Sequence, residues 1–73
     1  MIPRPGDVLI VDGQASVQFA GGRGLLFRVI SVSSGSTYSG WAWISGYVLD
    51  GEGAALHRRE IFVRRDGLRP FQP

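Results

Sequence analysis

Glycine and proline set the limits on what this chain can fold into. Eleven glycines and four prolines are spread through its 73 residues, and nowhere does an apolar stripe persist at helical spacing over three turns. The intervals between them are short and rich in Val, Ile, Leu, Phe, Trp and Tyr, side chains that suit a pleated, half-buried surface. Many short strands separated by turn residues predict an all-β domain, a small open barrel of five or so strands.

Read along the chain, the first strand is expected at Asp7-Val8-Leu9-Ile10-Val11, entered from Pro5-Gly6 and stopped at Asp12-Gly13, where Asp tolerates the left-handed region and Gly has no Cβ to clash. Gln14 to Ala20 alternates weakly and leads into Gly21-Gly22-Arg23-Gly24; a long loop and a distorted hairpin arm both fit it. Leu25 to Val32 is the clearest strand, with Leu25, Phe27 and Val29 expected on one face and Leu26, Ile30 and Val32 on the other, as in a central strand that is apolar on both sides. Ser33-Ser34-Gly35-Ser36 reads as a polar turn, and Tyr38 to Asp50 as a long aromatic run in which Gly40 and Gly46 are candidate bends or bulges. Asp50-Gly51-Glu52-Gly53 is the best hairpin turn, and Ala54 to Arg65 supplies its partner strand around Ile61-Phe62-Val63. Arg65-Asp66-Gly67 then turns into Leu68-Arg69, and Pro70 is expected to end further pairing because it has no N–H.

At this length there is room for one core, so residues 1–73 are taken as a single domain. Hydrophobic residues at 44% against 19% charged are enough to offset chain entropy and argue against wholesale disorder. With no cysteine, neither a disulfide nor a thiolate metal site is available as a staple, and packing must hold the fold unaided. The stretch Met1-Ile2-Pro3-Arg4-Pro5-Gly6 has no apolar run long enough for a signal peptide or a membrane span. A cytoplasmic location without membrane contact is the expectation.

The opening Arg4-Pro5-Gly6-Asp7-Val8-Leu9-Ile10-Val11, the long central hairpin, and Ile61-Phe62-Val63 followed by Leu68-Arg69-Pro70 together resemble a small SH3-like (Src-homology-3-like) barrel, in the broad sense that includes KOW and Tudor-type modules. The likeness is architectural and covers most of the chain. It implies a five-stranded open barrel. A glycine-centred KOW signature is not clearly present, nor is the acidic loop with paired aromatics of a proline-peptide-binding SH3 domain.

Catalysis finds little footing. His57 is the one histidine, flanked by Arg58 and Arg59, whose charges disfavour an imidazolium, and a lone histidine cannot build a metal site. The acids Asp7, Asp12, Asp50, Glu52, Glu60 and Asp66 fall mostly in turns, where Asp serves local backbone hydrogen bonds. Gly21-Gly22-Arg23-Gly24 is similar in composition to a phosphate-binding loop but lacks the following helix and the Lys-Ser/Thr, and it reads as a hinge-like loop. A homo-oligomer with a shared pore is the remaining route to an active site, and no residue pattern marks it. No enzyme activity, cofactor or metal is expected.

Two features point to binding. Trp41 and Trp43 share a strand face, which Tyr47 rejoins if Gly46 does not shift the register. Such a strip either fills the core or offers a surface that stacks a base, a proline or a methylated cation, or anchors a protein interface. Arginine accounts for all eight basic residues; arginine-favouring codon usage is the plain reading, and a planar donor fork suited to phosphates and carboxylates is the functional one. Residues 57–69 hold five arginines against Glu60 and Asp66, a local +3, while three arginines and four acids elsewhere leave −1. Adjacent arginines on a strand face opposite ways, so Arg58 and Arg64 are expected on the other side from Arg59 and Arg65. The cluster is either a solvated edge that discourages sheet-to-sheet association or a phosphate contact. The functional expectation is a nucleic-acid-binding module, for DNA or RNA, that uses Arg58, Arg59, Arg64, Arg65, Trp41 and Trp43. The alternative is a protein-interaction or self-assembling adaptor that uses the same residues.

Overall fold

The computed structural model describes residues 1–33 and 38–71. Five strands, β1 (Val8–Val11), β2 (Leu25–Val32), β3 (Trp41–Leu49), β4 (Ala55–Arg64) and β5 (Arg69–Pro70), form one antiparallel sheet in the order β4-β3-β2-β1-β5. No α-helix occurs among the described residues; the segments Val17–Phe19, Gly21–Arg23 and Arg65–Gly67 are single 3-10 turns. The fold is all-β, and the sheet is open, with β4 and β5 at its two edges.

β2 matches the sequence expectation in extent and in its central position, but its faces do not follow simple alternation. Val29 pairs with Gly46 and Ser31 with Ser45, so Ile30 is an extra residue that shifts the register by one. Beyond it Val32 returns to the core side and packs on the core with Leu25, where unbroken alternation puts it on the opposite face from Val29. The irregularity expected at Gly46 lies beside it, with the extra residue on β2: the β2–β3 register shifts between Gly46 and Ser45, while β3 stays in register with β4 there. Glycine is required at that position for a different reason: a Cβ would lie 2.2 Å from the Arg28 carbonyl oxygen and 2.6 Å from Cε2 of Phe27. The Phe27 ring crosses where a side chain would stand.

The remaining turns follow their chemistry. At the β3–β4 turn one carboxylate oxygen of Asp50 accepts from the N–H groups of Glu52 and Ala54, at 2.8 and 2.9 Å, and Gly53 sits at φ +88°, in the region L-residues avoid. Asp7 and Asp12 likewise accept from the backbone N–H of Arg4 and Gln14. Pro70 corrects the expectation that it ends pairing. It pairs with Leu9 inside β5, and Phe71 beyond it donates its N–H to Val8 O at 2.8 Å. The residues on either side of Pro70 face β1, so its missing N–H lies on the open edge, where no partner is lost. Of the Ser33–Ser36 turn tract, residues 34–36 lie outside the described residues.

One face of the sheet carries the core: Leu9, Val11, Phe27, Val29, Ala42, Ile44, Val48, Ile61 and Val63 point into it. The segment from Asp12 to Phe19 folds over this face and supplies Ala15 and Phe19, with Leu68 added from the chain's last turn. Three contacts hold the cover. Arg64 N–H donates to Ala15 O at 2.7 Å, Arg69 pairs with Asp12, and Gly67 is pressed so close to the Gln14 backbone that a Cβ would stand 1.9 Å from its carbonyl oxygen. The cover does for one end of the core what strand-to-strand closure does in a full barrel. It leaves the other face of the sheet bare.

Candidate functional site

Period-two alternation along β3 decides what that bare face presents. Ala42, Ile44, Gly46 and Val48 are buried, so Trp41, Trp43, Ser45 and Tyr47 project outward, in register with Arg64, Phe62, Glu60 and Arg58 of β4. Phe62 lies at the centre of an aromatic cluster. Trp41 stacks on it with ring centroids 5.0 Å apart and planes at 22°; Trp43 lies tilted at 5.0 Å; Tyr38 closes the third side at 6.4 Å. Offset and tilted geometries such as these suit the ring quadrupoles. Trp41 is half-buried in the cluster, whereas Trp43 keeps 48% and Tyr38 75% of its surface exposed. The two tryptophans are therefore neither core residues nor equivalent to each other.

Arginines flank this strip at both ends. Arg64 is the cross-strand neighbour of Trp41. Tyr47 stands between Arg58 on β4 and Arg28 on β2, and Arg28 is steadied by donating to Gly53 O at 3.2 Å. Midway between Trp43 and Tyr47, Ser45 donates its hydroxyl to a carboxylate oxygen of Glu60 at 3.0 Å. The surface thus offers ring faces in the middle, positive charge at each end and one carboxylate between the rings.

Of the six residues singled out in the sequence, four meet on this face: Trp41, Trp43, Arg58 and Arg64. Arg59 does not. It pairs with Gly46 on the core-facing side of β4, and its guanidinium lies 5.2 Å from the Phe19 ring centre, covering the core's rim by a cation–π contact. Arg65 also leaves the group, because it opens the 3-10 turn Arg65–Gly67, is half-buried, and donates its N–H to Gly40 O at 2.8 Å. Sequence reading missed Phe62, Arg28 and Tyr38 as members of the face. Phe62 carried a usable signal, since alternation puts it opposite Ile61 and Val63; Arg28 reaches Tyr47 only through the β2–β3 register, which no local pattern encodes.

Among the described residues no group of three or more His, Cys, Asp or Glu side chains comes together to hold a metal, and His57 is exposed on β4. Among the described residues no helix is long and apolar enough to cross a membrane. Compared with protein-family models, curated proteins and solved structures, the chain matches none.

Proposed function

We propose that this chain is a non-enzymatic nucleic-acid-binding module of the cytoplasm, built on a small SH3-like barrel, and that the outer face of β3 and β4 is its binding surface. The observation that carries the reading is the exposed ring of Trp43, with Tyr47 farther along the strand, set between Arg64 at one end and Arg58 with Arg28 at the other. Bases stack on aromatic faces and phosphates pair with guanidinium forks, so a surface that sets rings between guanidinium groups suits both parts of a polynucleotide. Apolar rings left bare on a 73-residue chain also call for a ligand, since soluble monomers seldom leave such clusters uncovered. Fluorescence titration of the tryptophans with DNA and RNA oligonucleotides tests the reading: quenching that saturates and weakens with salt supports it, and unchanged emission contradicts it.

A second reading, self-assembly or a protein partner, rests on the edge of β4. Arg64 N–H points away from β3 to Ala15, so by alternation the backbone groups of Arg58 and Glu60 also face outward, and no partner meets them among the described residues. Two copies paired antiparallel there set Arg58 of one against Glu60 of the other, but also Arg59 against its own counterpart. Like charges directly opposite each other are destabilising, which ranks this reading second. Light scattering across concentrations separates the two: a constant monomer mass favours the nucleic-acid reading, and a concentration-dependent dimer favours assembly.

A further inference from the structure

The Ser45–Glu60 pair is out of place on a surface meant only for phosphates. On the outer face of β4 Glu60 stands between Arg58 and Phe62, and its carboxylate is held by the Ser45 hydroxyl at 3.0 Å. Alternate residues of a strand are about 6.7 Å apart, so Trp43, Ser45 and Tyr47 mark steps along some 13 Å of β3, and Trp41 to Tyr47 along about 20 Å. A single strand laid along β3 then places one base on Trp43, one on Tyr47, and the base between them over Ser45 and Glu60. A carboxylate is an acceptor only, and a hydroxyl already donating to it has acceptor capacity left. The middle position therefore suits a base edge that donates. The Watson–Crick edge of guanine donates from N1–H and the 2-amino group side by side, matching two carboxylate oxygens. Thymine or uracil offers one N–H between two carbonyls, which the carboxylate repels. In a duplex these edges are already paired and the base faces are stacked, so only an unpaired strand presents both.

Resting on the nucleic-acid reading above, we infer that the outer face takes single-stranded nucleic acid in a footprint of three to four nucleotides, and that Glu60, positioned by Ser45, selects a guanine at the base between Trp43 and Tyr47. Glu60 is exposed and supports no buried contact, so changing it leaves the fold intact.

The test titrates tryptophan emission with pentamers of thymidine, with the same pentamer carrying one central G, A or C, and with a twelve-base-pair duplex. The single strands are expected to quench and the duplex to bind at least tenfold more weakly. The central-G pentamer is expected to bind about tenfold tighter than all-T, in keeping with one good carboxylate-to-base pairing. Glu60→Gln and Glu60→Ala should each abolish that preference, read as the ratio of central-G to all-T affinity within the same variant. A duplex as tight as the single strands, equal affinity for the four pentamers, or a G preference that survives in both variants overturns the inference while the broader reading stands. No binding by any oligonucleotide overturns both.

Discussion

Trp41 and Trp43 are two residues apart on one face, yet the Phe62 ring treats them differently. Trp41 lies stacked and half-buried, while Trp43 leans on the edge of the cluster with nearly half its surface free. Replacing Trp43 with Ala should therefore cost about 1 kcal/mol, the worth of an aromatic contact, and Trp41→Ala roughly 2–3 kcal/mol as its burial is lost too. Urea unfolding of the two variants reads the difference, and equal costs would contradict the asymmetry. Gly46 makes the opposite demand. Because a Cβ there collides with the Arg28 backbone and the Phe27 ring, Gly46→Ala should destabilise by about 3 kcal/mol through overpacking, visible as a lower thermal midpoint. At this scale alternation correctly parted Arg58 from Arg59. It did not say that Arg59 lies on Phe19, since that contact joins residues 19 and 59.

At the scale of elements, the legible parts were those whose cause is local. The limits of β2 follow from a run of mostly apolar residues between Gly24 and Ser33, and the β3–β4 turn follows from Asp50 and Gly53. Asp50→Ala removes the acceptor of two backbone N–H groups and should cost about 1–2 kcal/mol, measurable by the same unfolding assay; no change would mean the turn closes without its carboxylate. What escaped the sequence reading is set by distant partners. The extra residue at Ile30 turns Val32 back to the core, and that shift exists only in the pairing with β3, a partner far along the chain. Pro70 stays in β5 because β5 is an edge, a fact about topology. The segment from Asp12 to Phe19 carries no clear strand or helix signal because it is a cover outside the sheet, tied down by Arg64, Gly67 and Arg69.

For the molecule as a whole, one face of the sheet is occupied by the core and its cover, and the other carries the exposed rings and three of the arginines. The charge excess between residues 57 and 69 is thereby divided. Arg58 and Arg64 stay with the bare face and are joined by Arg28 from β2, while Arg59 and Arg65 are engaged on the other side and in the last turn. Binding to a single strand releases counterions at about 0.7 per phosphate neutralised. The affinity of a pentanucleotide measured from low to moderate salt is the most direct test of the proposed interface. Three contacts predict a log–log slope of about −2, made shallower by about 0.7 in Arg58→Ala and again in Arg64→Ala, and left alone in Arg59→Ala. A slope that ignores Arg58 and Arg64, or one that responds to Arg59 instead, would contradict the placement of nucleic acid on the outer face of β3 and β4.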